Sequence, residues 1–345
     1  MGEIKSIEFK DDILYLIDQR KLPLSYEIFQ CKSYKDVDFA IKDMVVRGAP
    51  AIGVVGAYGV VLAAKEFLNC SKEEFLSNID EALNVLNRSR PTAVNLMWAI
   101  RRMRGIIEHN KELSPSDLYR KLKAEADAML REDIDTNKGI GKIGNEIVGE
   151  KATILTHCNT GALATAGFGT ALGVIREAFY SGKDIFVYAD ETRPRLQGAR
   201  LTAWELVQEG IPCKLIADSV AATLIRDKKI DLILVGADRI ALNGDTANKI
   251  GTFMLSVLAK VYGVPFYVVA PTSTIDFDIE TGDEIIIEER DSSEVTHIEG
   301  IRIAPEGVDV YNPAFDVTPH TNVTGIITEK GIIRPPFREN ILKLK

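Results

Sequence analysis

Polar side chains follow each of four short apolar runs in the second half of the chain. They lie at residues 157–161 (HCNTG), 190–194 (DETRP), 218–219 (DS) and 236–239 (GADR). If the runs are parallel strands, the residues that follow them collect at one edge of the sheet, where open sheets of this kind bind ligands. The sequence therefore predicts a polar site at the carboxyl ends of the strands.

Cys158 is the first candidate for chemistry at this edge. It lies where a predicted strand gives way to a predicted helix. A helix N-terminus stabilises a thiolate and lowers the pKa of a cysteine from its usual value of about 8.5. On position alone, a reactive thiol and a buried structural cysteine are equal alternatives.

Asp238 is the second candidate, because it follows the apolar run LILVGA at residues 232–237. Such a run predicts a buried strand, and burial raises the pKa of a carboxyl group and makes it usable as an acid. The alternative is an aspartate that caps the next turn.

Three other segments could bind an anion. Asn248 and Lys249 are predicted early in a helix after Asp238, where an amide, an ammonium and the helix N-terminus could hold a phosphate. The segments 47–50 (RGAP) and 90–92 (RPT) combine arginine with residues that can expose backbone N–H groups. A solvated helix face and simple turns between helices are the alternatives.

The elements that would position these residues differ between the two parts of the chain. Alternating apolar residues at 4–9 and 13–17 predict a hairpin. Helical patterns follow at residues 33–69, interrupted at 48–50, and at 72–88, 93–110 and 115–149.

Short β-branched runs then alternate with helical stretches. Strands are predicted at residues 152–157, 184–189, 213–217, 232–235 and 266–270, with an edge strand at 323–327. This alternation is typical of a Rossmann-like α/β fold, a parallel sheet with helices on both faces. We predict two domains: a smaller, mostly helical domain over residues 1–145 and the α/β catalytic domain over 146–345.

The composition excludes several classes of protein. The chain has 345 residues, 46% of them hydrophobic, and a net charge of -8. The acidic balance argues against broad nucleic-acid or membrane-surface binding, which needs clustered Lys and Arg. The apolar stretch at residues 49–64 contains several glycines and is better interpreted as a packed helix than as a membrane span. Four well-separated cysteines and a polar N-terminus favour a reducing, cytoplasmic location.

Motifs for cofactors are weak. Gly167, Gly169 and Gly173 do not match the dinucleotide fingerprint, which has a different spacing directly after a strand, and are interpreted as packing glycines of a helix. The four histidines show no metal-ligand spacing, and His157 is interpreted as a structural residue. We therefore expect neither a metal nor an organic cofactor.

Longer segments together resemble one family. They are VVRGAPAIGVVGAYG from Val45, RPTAVNLMWAI from Arg90, THCNTGALATAGFGTALGVI from Thr156, DETRPRLQGARLTAWEL from Asp190, VGADRIALNGDTANKIGT from Val235 and YNPAFDVTPHTNVTGIITEKG from Tyr311. In unbroken order over nearly the whole chain, they resemble methylthioribose-1-phosphate isomerases of methionine salvage. The same fold resembles the regulatory subunits of a translation-initiation guanine nucleotide exchange factor, which are not isomerases.

The resemblance implies an aldose–ketose isomerase that acts on a sugar phosphate and forms a homodimer through its sheet-containing domain. It implies that Cys158 and Asp238 are the catalytic pair. It also implies that the substrate is bound by Arg47, Gly48, Ala49, Arg90, Gln197, Asn248 and Lys249.

Other functions remain open at this point. One is an isomerase of a related substrate, such as ribose 1,5-bisphosphate or 5-deoxyribose 1-phosphate. Another is a non-catalytic regulatory subunit of the exchange factor. A nicotinamide-dependent dehydrogenase is the least favoured, because its fingerprint is missing.

Overall fold

The computed structural model describes residues 4–91 and 93–345, and the chain divides into two compact units. The N-terminal unit extends to Lys138 and also takes in Gly161–Gly169. The sheet unit consists of Gly139–Thr160 and Thr170–Lys345. The chain therefore leaves the sheet unit after Thr160 and returns to it at Thr170.

A small antiparallel sheet opens the N-terminal unit. Its strands are β1 (Ile7–Lys10), β2 (Ile13–Ile17) and β3 (Ile28–Cys31), in that order. The predicted hairpin is confirmed, because β1 and β2 pair through a turn at Asp11 and Asp12, which both have positive φ. The sequence did not predict β3, because its residues IFQC do not alternate between apolar and polar types.

The predicted helices of this unit are confirmed. They are α1 (Tyr34–Lys42), α2 (Ala49–Glu66), α3 (Lys72–Asn87), α4 (Val94–Glu108) and α5 (Pro115–Asn145). α1 and α3 each begin with a capping box, formed by Ser33 with Asp36 and by Ser71 with Glu74. α5 continues beyond Lys138 into the sheet unit.

α2 is the central helix of the N-terminal unit. It is long and apolar enough to cross a membrane, but 78% of it is buried inside the protein. Residues on all its sides, from Ala51 to Ala64, belong to one hydrophobic core. A helix that is apolar all round is buried among other elements, so the interpretation as a packed helix is confirmed.

The strands of the sheet unit are β4 (Lys151–Thr156), β5 (Asp184–Asp190), β6 (Cys213–Ile216), β7 (Leu232–Val235), β8 (Arg239–Ile240), β9 (Thr246–Lys249), β10 (Phe266–Val269), β11 (His297–Ile298), β12 (Ile301–Arg302), β13 (Phe315–Thr318), β14 (Gly325–Thr328) and β15 (Gly331–Ile333). Its helices are α6 (Ala171–Tyr180), α7 (Ala203–Glu209), α8 (Val220–Arg226), α9 (Thr252–Tyr262), α10 (Ser293–Thr296) and α11 (Phe337–Leu342).

The main sheet has seven strands in the order β15-β14-β10-β7-β4-β5-β6. All neighbours are parallel except β14 and β15, which form an antiparallel pair. The predicted parallel sheet is thus confirmed. The prediction that residues 323–327 form the edge strand is wrong, because β15 folds back beside β14 and occupies that edge.

Each face of the sheet is covered by its own hydrophobic core. Along β7, Ile233 and Val235 belong to one core, which includes residues of α8, α9 and α11. Leu232 and Leu234 belong to the other, which includes residues of α6 and α7. Since successive side chains of a strand point to opposite faces, helices cover both faces, and the Rossmann-like α/β fold class is confirmed.

A three-stranded antiparallel sheet in the order β13-β9-β8 stands apart from the main sheet. β8 begins one residue after Asp238, and β9 pairs Asn248 with Asp316 of β13. A second small sheet pairs β11 with β12. The sequence predicted neither sheet.

Candidate active site

Cys158 lies two residues beyond the end of β4, and its side chain is almost completely buried. The strand is followed by a loop over residues 157–170 that contains only a 3-10 turn, and α6 begins at Ala171. The prediction that Cys158 lies at a helix N-terminus is therefore wrong. Gly167 and Gly169 also lie in this loop and not in a helix, whereas Gly173 is buried in α6.

The backbone of Cys158 adopts a left-handed conformation, with φ at +63°. This conformation is uncommon for a residue other than glycine. Threonine hydroxyls hold it on both sides. The backbone N–H of Cys158 donates to Oγ1 of Thr192 at 2.8 Å, and Oγ1 of Thr202 donates to the carbonyl oxygen of Cys158 at 2.6 Å.

Asp238 follows β7, the strand next to β4 in the sheet. The pairing of Thr156 with Leu234 brings the carboxyl ends of these two strands together. A Cβ atom added to Gly236 would lie 2.7 Å from the side chain of Thr160, so the segments after the two strands pack closely. Cys158 and Asp238 thus follow two neighbouring interior strands, at the carboxyl-terminal ends of the parallel strands.

The side chain of Asp238 is half-buried and not fully enclosed as the preceding apolar run suggested. Its backbone N–H donates to the carbonyl oxygen of Ala247 at 2.9 Å. This bond attaches the start of the β8–β9 hairpin to the end of β7. Asp238 is therefore held at the junction between the main sheet and the small antiparallel sheet.

Asn248 and Lys249 are the last two residues of β9, and α9 begins only at Thr252. Their predicted place within a helix is wrong. Both are buried. Nδ2 of Asn248 donates to Oγ1 of Thr252 at 3.0 Å. Nζ of Lys249 donates to the carbonyl oxygen of Ala314 at 3.0 Å and lies 4.5 Å from the centre of the Phe315 ring.

Gln197 lies in the segment after β5 and is 6% exposed. Among residues 4–91 and 93–345, no hydrogen-bond partner is found for its Oε1 atom. A buried acceptor without a partner is costly. Contact with a donor on a bound molecule would relieve that cost.

The remaining candidates lie in the N-terminal unit. Gly48 is the N-cap of α2 with φ at +101°, and Ala49 is the first residue of that helix. A Cβ atom at Gly48 would overlap the backbone of Ala164, so only glycine fits at this place. Arg47 and Arg90 are half-buried, and both take part in interactions with other groups. Thr92, part of the predicted segment 90–92, lies outside the described residues.

His157 is buried directly before Cys158. Its Nδ1 atom is 2.8 Å from Oδ2 of Asp190, and its Nε2 atom is 2.9 Å from the carbonyl oxygen of Ile250. Burial by itself would lower the pKa of His157, but the hydrogen bond and charge of Asp190 outweigh it and raise the pKa. The raised pKa favours a proton held between the His157 ring and the Asp190 carboxyl group. The ring also connects the end of β4 to the turn after β9, which supports the interpretation of His157 as a structural residue.

His157, Asp190 and Asp218 place three potential metal-ligand atoms within 4.8 Å of one another. Their existing contacts account for this cluster. His157 and Asp190 bond to each other, and the carboxylate of Asp218 accepts the backbone N–H groups of Thr192 and Arg193 at 2.7 and 2.8 Å. The donor set is thus used by the protein itself, and we assign no metal to it.

Thr192 and Thr202 are the site residues that sequence reasoning missed. Thr192 belongs to the segment 190–194 that follows β5, so the rule of strand ends could have found it. Thr202 lies ten residues further on, and no spacing rule marks it.

Comparison with known proteins gives a consistent result. The model of the Initiation factor 2 subunit family matches residues 45–335. The chain is 78% identical over 345 residues to a methylthioribose-1-phosphate isomerase of Caldanaerobacter subterraneus subsp. tengcongensis, with 100% of both chains covered.

Solved structures show the same fold. A 5-methylthioribose 1-phosphate isomerase from Pyrococcus horikoshii OT3 matches with a TM-score of 0.93 and 46% identity, covering 99% of this chain and 95% of that one. A structure from A. fulgidus described as translation initiation factor eIF-2B, subunit delta, matches with a TM-score of 0.89 and 42% identity, covering 99% of both chains.

Proposed function

Because the chain belongs to the Initiation factor 2 subunit family and is matched over its full length by methylthioribose-1-phosphate isomerases, we propose that it has this activity. As an aldose–ketose isomerase, it converts 5-methylthioribose 1-phosphate to 5-methylthioribulose 1-phosphate in methionine salvage. The structural observation that supports the proposal most is the placement of Cys158 and Asp238 after neighbouring parallel strands, β4 and β7.

The substrate sets the first chemical problem. Its anomeric oxygen carries a phosphate, so the ring cannot open as a free hemiacetal does. In the proposed reaction, Asp238 in its acid form donates a proton to the ring oxygen while the bond between C1 and that oxygen breaks. The half-buried position of Asp238 supports this role, because it leaves the carboxyl group within reach of a ligand.

The second step moves hydrogen from C2 to C1. In the proposed route, the sulfur of Cys158 removes the proton from C2 and an enol forms between C1 and C2. The thiol formed in this step exchanges its proton with solvent and then protonates C1. The C2 hydroxyl then gives its proton to the carboxylate of Asp238, which leaves the ketone and restores the acid form of Asp238. A hydride shift from C2 to C1 is the competing route.

We assign phosphate binding to Arg47, Arg90, Lys249 and the backbone N–H groups of Gly48 and Ala49. The first turn of α2 contains no acidic side chain, which favours an anion near its N-terminus. Asn248 and Gln197 are assigned to the sugar. The unpaired, buried Oε1 atom of Gln197 supports this, because sugar hydroxyls are hydrogen-bond donors.

Site-directed variants test the catalytic pair. Cys158→Ser and Asp238→Asn should each lower kcat about 10²- to 10⁴-fold, the usual contribution of a positioned acid or base. The assay incubates the purified protein with 5-methylthioribose 1-phosphate and follows the ketose by NMR.

Cys213→Ser and Asp184→Asn are matched controls. Cys213 is half-buried at the start of β6, and Asp184 is exposed at the start of β5, so both lie at the opposite ends of the strands. Near-normal turnover in a correctly folded Cys158→Ser or Asp238→Asn variant would contradict the assignment.

Running the reaction in deuterated water distinguishes the proton route from the hydride route. Incorporation of deuterium at C1 of the product supports the proton route, and its absence supports the hydride route.

One observation favours a second function. The A. fulgidus structure described as an initiation factor eIF-2B subunit is similar over 99% of both chains. A regulatory subunit would bind partner proteins and would not catalyse the isomerisation. Turnover by the purified chain alone decides between the two functions, and the same assay with ribose 1,5-bisphosphate and 5-deoxyribose 1-phosphate tests the related substrates.

We also propose that the enzyme is a cytoplasmic homodimer that associates through the sheet unit. All four cysteines are free, which suits a reducing compartment.

The surface of α9 supports the homodimer. Its apolar residues Phe253, Met254, Val257 and Val261 are between 37% and 69% exposed. They fall within about 100° of one another around the helix axis, so they form one apolar stripe that a second copy could cover.

A further inference from the structure

The conformation of Cys158 depends on two side-chain hydroxyls from distant parts of the sequence. Its backbone is left-handed, and neither its N–H nor its carbonyl group bonds in the ladders of the main sheet. Instead, the N–H donates to Oγ1 of Thr192 and the carbonyl accepts from Oγ1 of Thr202, at 2.8 and 2.6 Å. Both peptide groups that flank the Cys158 side chain are thus fixed.

Further hydrogen bonds hold Thr192 and its hydroxyl group in place. The same Oγ1 atom that accepts from Cys158 donates to the carbonyl oxygen of Asp190 at 3.1 Å. The backbone N–H of Thr192 donates to Oδ1 of Asp218 at 2.7 Å, and Thr192 itself is left-handed and fully buried. Its position is therefore set by β5 and by the segment after β6.

Thr202 is held by a chain of buried polar groups. Its Oγ1 atom accepts from Nδ2 of Asn159 at 3.2 Å, and Nδ2 of Asn159 also donates to Oε1 of Glu205 at 2.7 Å. Oε2 of Glu205 accepts from Arg176 at 2.6 Å. Thr202, Glu205 and Arg176 are each at most 2% exposed. A hydroxyl has one proton to donate, and this chain of donors leaves the proton of Thr202 for the carbonyl of Cys158.

The backbone around Thr202 explains how its hydroxyl reaches Cys158. Residues Gly198–Thr202 form a π-helical turn, in which the N–H of Ala203 donates to the carbonyl of Gly198. A Cβ atom at Gly198 would overlap the carbonyl oxygen of Asp190, so this turn packs directly against the end of β5. The turn inserts one extra residue relative to an α-helix, and such insertions are frequent at functional sites.

We infer that Thr192 and Thr202 are positioning residues that hold Cys158 in its left-handed conformation and so aim its sulfur at the substrate. The inference rests on the proposed role of Cys158 in catalysis. Neither threonine touches the reacting atoms in this scheme. Their contribution is to fix the direction in which the Cα–Cβ bond of Cys158 leaves the backbone.

The experiment compares Thr202→Val and Thr192→Val with Thr202→Ser and Thr192→Ser. Valine keeps the shape of threonine and removes the hydroxyl, whereas serine keeps the hydroxyl. Two measurements are made on each variant. Isomerisation kinetics give kcat and KM, and treatment with iodoacetamide gives the rate at which Cys158 is alkylated. Peptide mass spectrometry separates Cys158 from Cys213, which serves as the reference thiol within the same unit.

The valine variants should lower kcat about 10- to 100-fold, as small misplacements of a catalytic group do. They should leave KM within about twofold and change the alkylation rate of Cys158 relative to Cys213 severalfold. The serine variants should recover most of both quantities. Thr318→Val is the control for loss of a buried hydroxyl, since Thr318 is fully buried and its Oγ1 has no partner among the described residues.

A folded Thr202→Val variant with unchanged kcat and unchanged alkylation would overturn the inference. If Thr202→Val fails to fold, the Thr192 pair gives the same decision. If the wild-type chain shows no isomerase activity but the valine variants alone change the alkylation of Cys158, the proposed function fails while the backbone role stands. If the wild type is active and the valine variants match it in both measurements, the inference fails and the function stands.

Discussion

Asp133 shows how a single buried carboxyl group can couple folding to pH. It lies on α5 in the N-terminal unit, and its Oδ2 atom accepts from the backbone N–H of Ala166 at 2.7 Å and from Nδ2 of Asn137 at 3.0 Å. Part of the residue is exposed, but the carboxyl group is enclosed, and burial raises its pKa to about 7. Ala166 lies in the segment 161–169, which follows Cys158 in the chain.

The pKa of Asp133 determines a pH dependence of stability. Its ordinary value is 3.8, so between about pH 4 and pH 7 the folded chain holds a proton that the unfolded chain releases. The unfolded chain binds fewer protons in this window, and the contribution of Asp133 to stability is therefore lost as the pH rises towards 7. Asp133→Asn should make the free energy of unfolding fall less between pH 5 and pH 8 than it does in the wild type.

Chemical denaturation at the two pH values measures this difference. Asp135→Asn is the matched control, because Asp135 is exposed on the same helix two residues further on. If Asp133→Asn and Asp135→Asn both show the pH dependence of the wild type, Asp133 does not carry the effect.

The candidate residues differ in how well the sequence locates them. Cys158 and Asp238 follow strongly apolar strands, and the rule of strand ends suffices to place both at one edge. The sequence favours a helix for Asn248 and Lys249, because the segment TANK lacks β-branched and aromatic residues apart from its threonine. This segment forms a strand because it pairs with β8 and β13. These pairings are tertiary contacts, which the local sequence does not reveal. The position of the Thr202 hydroxyl depends on the extra residue of the π-helical turn at Gly198–Thr202. The amino-acid composition of this segment does not predict such a turn.

At the scale of elements, the start of α2 shows how a helix is fixed by one close approach. Gly48 has φ at +101°, and its α-carbon faces the backbone of Ala164 too closely to admit a side chain. The segment that contains Ala164 is held further by Gln19, whose Nε2 atom donates to the carbonyl of Leu163 at 2.7 Å. Position 48 therefore fixes both the start of α2 and the segment 161–169.

Gly48→Ala should destabilise the protein by about 2–4 kcal/mol, because a strained φ and an overlap with backbone add together. Gly105→Ala is the matched control: Gly105 lies within α4 and an added Cβ would meet nothing within 4 Å. There, alanine should stabilise by about 0.5–1 kcal/mol, the usual difference in helix propensity. Urea unfolding measures both, and a Gly48→Ala variant as stable as the wild type would contradict the packing described.

The elements that the sequence predicted share one property. The helices of the N-terminal unit and the parallel strands each carry a long or strongly apolar pattern, which local periodicity reveals. The missed strands β3, β8, β9, β11, β12, β13 and β15 have two to four residues each. At that length a period cannot be read, and their pairing partners decide their structure.

At the scale of the whole molecule, the alternation of strands and helices was enough to give the fold class. The return of residues 161–169 to the N-terminal unit could not be predicted, because it depends on contacts with Ser6, Gln19 and Asp133. These residues lie far from the segment in sequence. The domain boundary between residues 145 and 146 stays a prediction.

The proposed homodimer makes a prediction at the same scale. Exposed apolar residues that form a contiguous patch usually mark an interaction surface, and a two-fold homodimer is the commonest assembly. Val257 and Val261 lie in the apolar stripe of α9, one helical turn apart. Replacing both with glutamate would bring four like charges together in a symmetric interface and should convert the dimer to a monomer.

Light scattering coupled to size-exclusion chromatography measures the mass of each species. Ile286→Glu is the matched control, because Ile286 is 82% exposed but lies outside α9. Its variant should remain dimeric, because Ile286 lies outside the proposed α9 interface. A Val257→Glu/Val261→Glu variant that stays dimeric with normal stability would exclude α9 from the interface, and a monomeric wild type would exclude the dimer itself.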